Sequence, residues 1–482
     1  MFDTNWTACA LLALSSSLPA QAATQADERP NIVFAIADDW GWPHAGAYGD
    51  VAVQTPHFDR VAEMGVLFEN AYVSSPSCTP SRGAIVTGQH FFRLGAGASL
   101  WCEWPEDRFP EYPAMLSDAG YHVGSWRKSW GPGKGAPGGA KFKNVDAFFD
   151  ARGDDQPFCL WLGASDPHRG YEKDSGAKSG IDLDQVHMFP QFPDAPEVRG
   201  DVADYYFEVQ RFDRDVGRLL TRLEEMGELD NTLFVVTGDH GMPFPRCKGN
   251  VYDSGARVPL AVAWPSRIPA GRRVTDFVSL TDMAPTFLEA AGLSVPTEIT
   301  GRSLMPTLRS THEGRVEAHR DHVVVGRERH VPCQEAPERE GYPVRALRTD
   351  SYLYIRNAHP DRWPAGTPNH ELCTSRNSWL GDCDNGPTKL YLWEHRADDD
   401  VRSLFDLCFA KRPAEELYDL RVDPEQVHNI AAEEIHQAAL AELSKRLDAE
   451  LRRARDPRSL GMEEVLEGHK YLGGGGGKWP FK

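Results

Sequence analysis

Short apolar runs alternate with amphipathic stretches along the first two thirds of the chain. Asn31 to Ala37 is a near-continuous apolar run, the pattern of a strand covered on both faces. Phe158–Ala164 and Thr232–Thr237 repeat it, and Tyr121–Trp126, broken by His122, Gly124 and Ser125, reads as a further strand. Helical patterns separate these runs. Thr55–Gly65 turns Val61 and Met64 inward, Tyr112–Ala119 is stopped by Gly120, and Asp282–Ala291 ends at Gly292. Asp204–Met226 is the longest, with Val209, Phe212, Val216, Leu219 and Leu223 at helical spacing and Gly227 at its end. Strands alternating with helices predict an α/β domain built on a mostly parallel central sheet with helices on both faces.

Beyond about Ala346 the pattern changes. Arg348–Arg356 reads as one strand, a polar Pro/Gly/Cys stretch follows, and Ala431–Arg453 reads as a helix. The expected organisation is therefore a catalytic domain over 29–345, a smaller C-terminal α+β subdomain over 346–472, and a flexible glycine tail over 473–482. At the other end, the apolar stretch Ala8–Leu18 followed by Ala20-Gln21-Ala22 reads as a signal peptide over 1–22, and hence a periplasmic or secreted protein. No later segment has the length of a membrane span.

Composition narrows the function classes. The 482 residues carry a net charge of −19, which argues against nucleic acid as a partner. A local basic pocket on such a surface still admits an anionic substrate. Nine cysteines occur without a CxxC pair, which argues against a zinc site. Cys373 with Cys383 is a plausible disulfide in an exported protein.

In open parallel sheets, ligands bind at the carboxyl ends of the strands. The predicted strands end in Asp38-Asp39, near Lys128, in Asp166-Pro167-His168 and in Asp239-His240. Carboxylates converging on one edge call for a cation, and oxygen ligands favour calcium over magnesium. The bland alternative is that each Asp caps the turn or helix after it. Separately, Cys78 precedes Thr79-Pro80-Ser81-Arg82 at a predicted helix N-terminus, where backbone N–H groups favour an anion and Arg82 reaches the same spot.

Cys78-Thr79-Pro80-Ser81-Arg82 resembles the signature of the formylglycine-dependent sulfatases of the alkaline phosphatase superfamily. Asp38-Asp39 looks like that family's first metal pair, and Asp239-His240 like its second. Lys248, five residues before Asp253-Ser254-Gly255-Ala256-Arg257-Val258-Pro259, looks like its sulfate-binding lysine. Lys128 and His168 match two further motifs. Ser165–Arg169 and Gly241–Pro245 are similar in wording to the heparan N-sulfatase (sulfamidase) branch.

The resemblance implies an alkaline phosphatase-like fold and Cys78 oxidised by a formylglycine-generating enzyme. It also implies one Ca2+ held by Asp38, Asp39, Asp239, His240 and the modified Cys78. The aldehyde hydrate would attack sulfur while Arg82, Lys128 and Lys248 neutralise the sulfonate and His168 protonates the leaving group. The substrate would be a sulfated carbohydrate, with sulfate ester and sulfamate both open, read by Arg169 and by Arg327, Arg329 and His330 in a polar loop.

Two departures stand out. Trp130 occupies the place of a family histidine, and Asp253-Ser254-Gly255 replaces Glu-Gly-Gly. A phosphonate or phosphodiester hydrolase on the same fold is one alternative. A non-catalytic glycan-binding relative is another.

Overall fold

The computed structural model describes Met1 and residues 29–474, apart from 106–107, 136–138 and 375–377. The predicted signal peptide and the end of the glycine tail lie outside the described residues.

The central sheet has eight strands: β1 (Asn31–Ala37), β2 (Val66–Tyr72), β3 (His122–Arg127), β4 (Ala140–Phe142), β5 (Phe158–Gly163), β6 (Thr232–Gly238), β7 (Leu260–Ala263) and β8 (Arg272–Ser279). Their order is β8-β2-β7-β6-β1-β5-β3-β4. Only β7 runs against its neighbours. The sheet is therefore mostly parallel, as the alternation of patterns predicts. The apolar runs are buried along their whole length because helices cover both faces. Ile32, Phe34 and Ile36 pack with Ile85 and Phe287 on one face, and Val33, Ala35 and Ala37 with Phe58, Val209 and Phe212 on the other. The long helix covering the second face spans Pro196–Glu225. It begins a full two turns before the predicted start, because Pro196 fits a first helical turn while Gly200 and Asp201 interrupt the apolar spacing there.

A second, antiparallel sheet follows, formed by β9 (His322–Arg327), β10 (Val344–Thr349), β11 (Tyr352–Asn357) and β12 (Glu415–Asp419). The single strand expected at Arg348–Arg356 is a hairpin. The chain reverses at Asp350-Ser351, where the Tyr352 N–H donates to Thr349 Oγ1 at 3.1 Å. The C-terminal sheet also begins earlier than the expected boundary, since β9 is its edge strand. The helix Gln437–Arg453 lays Leu443, Leu447 and Leu451 on this sheet against Leu347, Tyr354 and Leu417. Its four-residue spacing of leucines places them on one stripe.

Cys383 is a free thiol that donates to the Asp384 carbonyl, so the Cys373–Cys383 bridge is not formed. Cys373 instead lies beside Cys333, whose carbonyl its Sγ–H reaches at 3.7 Å. Among the described residues, no helix is long and apolar enough to cross a membrane.

Candidate active site

β3, β5, β1 and β6 are contiguous and parallel, so their carboxyl ends open onto one edge. Asp38-Asp39 follows β1, Lys128 follows β3, His168 follows β5 and Asp239-His240 follows β6. Two of these strand ends take left-handed backbone: Asp39 has φ 73° and Arg127, just before Lys128, φ 64°. Aspartate tolerates that region better than most residues. Asp39 is held there by its N–H, which donates to Asp239 Oδ1 at 2.9 Å. Gly163 at the end of β5 admits the Lys128 backbone, since a Cβ there would meet the Lys128 carbonyl oxygen at 1.4 Å.

The helix Cys78–Thr87 starts at Cys78 and points its N-terminus at this edge. Ser77 precedes it without capping it. Its Oγ is engaged with His330 Nδ1 at 2.8 Å. The first-turn N–H groups therefore have no side-chain cap, which suits an anion.

Four ligand atoms, from Asp38, Asp39, Cys78 and His240, lie within 4.8 Å of one another, all on buried residues. Cys78 Sγ is 3.3 Å from His240 Nε2 and 3.7 Å from Asp38 Oδ1. His240 Nε2 is 3.2 Å from Asp39 Oδ1. The ring's other nitrogen is bonded to the Gly241 carbonyl at 3.1 Å, which fixes a tautomer with Nε2 open to the cluster. Asp39 Oδ1 is buried without a hydrogen-bond partner. An acceptor in that state is costly unless a cation joins it, so the residues present fit a metal ion, with the two carboxylates as its hard donors. Asp239 stands at the border: Oδ2 accepts from Arg82 Nε at 2.7 Å, and Oδ1 lies 3.6 Å from His240 Nε2. Burial opposes its ionisation, but Arg82 and Lys128 hold its carboxyl well below the usual carboxylate range.

Three cations face these acids. Arg82 is fully buried; its Nη2 lies 3.8 Å from Asp38 Oδ1 and is the one guanidinium nitrogen without a hydrogen bond. Lys128 pairs with Asp38. Lys248 donates to Asp39 Oδ2 and to Asp384 Oδ2, both at 2.9 Å. Burial pushes the Cys78 thiol up to about 12, so at neutral pH an unmodified cysteine here is protonated and a poor nucleophile.

A cavity of about 550 Å³ opens above Cys78, lined by Lys128, His168, Lys248, His330, Asp384 and Trp101 among others. His168 Nδ1 is bonded to the Arg169 carbonyl at 2.6 Å, which leaves Nε2 as the free ring atom. His168, Asp39 and Asp384 offer ligand atoms within 4.8 Å of each other.

The expected substrate residues divide. His330 does reach the pocket, and burial with Lys248 nearby holds its ring well below the usual histidine range. The three arginines do not offer their charge to a sugar. Arg169 lines the wall, yet its guanidinium turns away and grips both oxygens of buried Asp201 at 2.7 and 2.8 Å. Arg327 is 1% exposed and pairs with Asp382 at 3.2 Å. Arg329 is buried and donates to the His469 carbonyl at 2.6 Å. The loop is polar enough to suggest a substrate-facing surface, but both its arginines are buried in the wall: Arg327 has its counter-ion in Asp382, whereas Arg329 Nε and Nη2 find no partner. Asp384, which sequence reasoning missed, sits in the pocket, paired with Lys248. Nothing in its Cys-Asp-Asn-Gly surroundings marks it out. Only the fold brings it there.

Trp130 packs inside the core against Trp104 at 5.1 Å and donates to the Gly135 carbonyl. It lies outside the cavity lining and obstructs nothing there. Asp253 binds Arg348 of β10 and the Tyr72 hydroxyl at 3.1 Å, joining the two sheets.

The Sulfatase family model matches residues 30–153 and 140–293, more than half of the chain. This chain belongs to the sulfatase family. An ulvan-active sulfatase of Formosa agariphila is 27% identical over 488 residues, covering 91% of this chain and 77% of that protein. N-sulphoglucosamine sulphohydrolase of Homo sapiens is 31% identical over 334 residues, covering 58% of this sulfatase and 66% of that protein. Among solved structures, one in complex with its substrate D-glucosamine-2-N,6-O-disulfate aligns with a TM-score of 0.63 at 20% identity, over 89% of this chain and 99% of that one. The α/β fold with a C-terminal antiparallel sheet is thus that of the sulfatases, and the enzyme is a sulfuric ester hydrolase.

Proposed function

We propose that this sulfatase removes sulfate from a sugar of a sulfated glycan, with Cys78 matured to formylglycine and one Ca2+ beside it. The observation that carries the reading is the cluster of Asp38, Asp39, Cys78 and His240 at the N-terminus of an uncapped helix, ringed by Arg82, Lys128 and Lys248. The sulfated glycans named for the relatives support the substrate class.

When in place, the formylglycine hydrate supplies the hydroxyl nucleophile and calcium the charge that lowers its pKa. Asp38, Asp39 and His240 would hold the ion, with Asp239 at its border. Arg82, Lys128 and Lys248 neutralise the sulfonate oxygens as charge shifts onto them. Lys248 has three N–H donors and spends two on Asp39 and Asp384, so the third is left for substrate. His168 presents Nε2 to the leaving oxygen or nitrogen and, in its doubly protonated form with Nδ1–H kept on the Arg169 carbonyl, passes it the Nε2 proton and is left neutral. The leaving atom is the oxygen of a sulfate ester or the nitrogen of a sulfamate.

The apolar run Ala8–Leu18 and the Ala20-Gln21-Ala22 site support export to the periplasm or beyond. A formylglycine-generating enzyme would then be the maturing partner. Mass spectrometry of the Cys78 peptide tests maturation, with an expected loss of about 18 Da when CH2–SH becomes CHO. Turnover of N- and O-sulfated sugars, lost on chelation and restored by calcium, tests the rest. A matured, calcium-loaded enzyme inert on every sulfated sugar and on an aryl sulfate, yet active on an aryl phosphonate, would overturn the reading.

A further inference from the structure

Asp384 enters the active-site cavity on a loop between β11 and the helix Pro387–Glu394. The loop is wound around one buried cation. Lys389 Nζ donates to the carbonyls of Trp379, Leu380 and Cys383 at 3.2, 3.0 and 2.7 Å, and to Asn385 Oδ1 at 3.0 Å. Two ties fasten it to the rest of the wall. Asp382 accepts from the Val331 N–H at 2.7 Å and pairs with Arg327. Thr388 donates from N and Oγ1 to Asp201, the partner of Arg169, at 3.0 and 2.6 Å. A carboxylate held on so constrained a loop is preorganised and does not swing aside at little cost when substrate enters.

Its two oxygens are used differently. Oδ2 accepts from Lys248. Oδ1 has no hydrogen-bond partner among the described residues, and 27% of the side chain is exposed on the cavity wall. Lys248 and its neighbours keep this carboxyl well below the usual range. A sulfonate bound at the third N–H of Lys248 therefore comes to lie beside a fixed negative charge. Two anions at that range repel unless a hydrogen donor stands between them or next to them. The substrate atoms closest to the sulfate, after the ester atom itself, belong to the neighbouring ring position.

We propose that Asp384 is the specificity-determining residue of this pocket: its carboxylate accepts a hydrogen bond from a hydroxyl or amine on the ring position next to the sulfated one, and its charge turns away sugars carrying a second sulfate there. The inference rests on the sulfatase reading of the same pocket. It also gives Arg169 and Arg327 a task, since both hold the loop that carries Asp384.

The test is a cycle between enzyme and substrate. The monosulfated hexose or hexosamine that matured wild type turns over fastest is compared with its analogue deoxygenated at the neighbouring position, and with its neighbouring-position disulfate. In wild type, removing the donor should lower kcat/KM about 10- to 100-fold, the range for a hydrogen bond to a charged group. Asp384→Ala should turn over the first two sugars at about equal rates. Asp384→Asn, which keeps the shape and removes the charge, should improve on the disulfated sugar relative to the monosulfated one by roughly tenfold or more. Inorganic sulfate is the second probe: freeing Lys248 of one counter-ion should tighten its inhibition of both variants. If Asp384→Ala discriminates against the deoxygenated sugar as strongly as wild type, the inference is overturned. Unchanged or weaker sulfate inhibition with parallel losses on all sugars would reduce Asp384 to a prop of the loop. Wild type active on an aryl sulfate but on none of these sugars overturns this inference alone. Inertness on all of them overturns the sulfatase reading, and this inference with it.

Discussion

Arg169→Met should destabilise the protein rather than subtract a substrate contact. The Arg169 and Asp201 side chains are 8% and 1% exposed, and the two N–H···O bonds of 2.7 and 2.8 Å make the pair bidentate. The guanidinium also stacks near Tyr171 and Phe244, with its carbon 4.8 and 4.5 Å from the ring centroids. Methionine keeps part of that packing and removes the charge. Asp201 is then left buried, with only Thr388 donating to it. Breaking one side of a buried pair costs about 3–5 kcal/mol, because the surviving charge is uncompensated. At about 2.1 cal/mol/K of unfolding entropy per residue, a chain of this length shifts by roughly 1 °C per kcal/mol, so Tm should fall by about 3–5 °C. Scanning calorimetry measures it. The double variant Arg169→Met with Asp201→Asn should recover a good part of the loss, since no lone charge then remains. An unchanged Tm, with kcat/KM falling only for charged sugars, would refute the clamp and return Arg169 to the substrate.

Cys78→Ala should abolish turnover while leaving the far-UV circular dichroism unchanged; wild-type rates in that variant would end the mechanism. Lys248→Met should lower kcat/KM on aryl and sugar sulfates alike, by about 10²- to 10³-fold, the range for one lost oxyanion donor; a loss confined to KM would show that Lys248 binds ground state and transition state equally. His44 is fully buried, with Nε2 unpartnered, and burial with His187 nearby holds its ring well below the usual range. Its folded form stays neutral while the unfolded chain takes up a proton below about pH 6.5, so stability is present above that pH and falls as pH drops, by up to about 1.4 kcal/mol per pH unit. Urea titrations at pH 7, 6 and 5 should show a shallower decline in His44→Gln than in wild type, and equal declines would refute the assignment.

The central sheet was legible because fully buried parallel strands have a simple signature. β1, β5 and β6 are apolar end to end, and their polar ends gave Asp38, Asp39, His168, Asp239 and His240 directly. β2 and β8 carry no comparable run, and the apolar run of β7 is only four residues long, Leu260–Ala263. β2 is interrupted by Glu69 and Asn70, and β8 by Thr275 and Asp276, whose polar groups are satisfied by long-range bonds that periodicity cannot register. The hairpin at Asp350-Ser351 was fused into one strand because its two halves share the same β-branched and aromatic character, and the two-residue turn lacks glycine.

The charges of the pocket show why one of its residues had to wait for the fold. Arg82, Lys128 and Lys248 stand on motifs that local sequence makes visible, and so do Asp38, Asp39 and Asp239. Three cations against three acids look balanced. Asp384 arrives from a polar loop far along the chain and adds a fourth carboxylate at 2.9 Å from Lys248, which leaves the assembled pocket with one excess negative charge. A divalent ion held, as proposed, at Asp38, Asp39 and His240 would turn that into one excess positive charge, which a singly charged sulfate ester would neutralise on binding. Inorganic sulfate, the doubly charged product, overshoots the balance and meets Asp384 at close range. Remove Asp384 and the pocket matches the product better than the substrate. The residue that sequence reasoning missed is thus the one that sets the pocket's preference between what enters and what must leave, and the tightened sulfate inhibition expected of Asp384→Asn follows from that count alone.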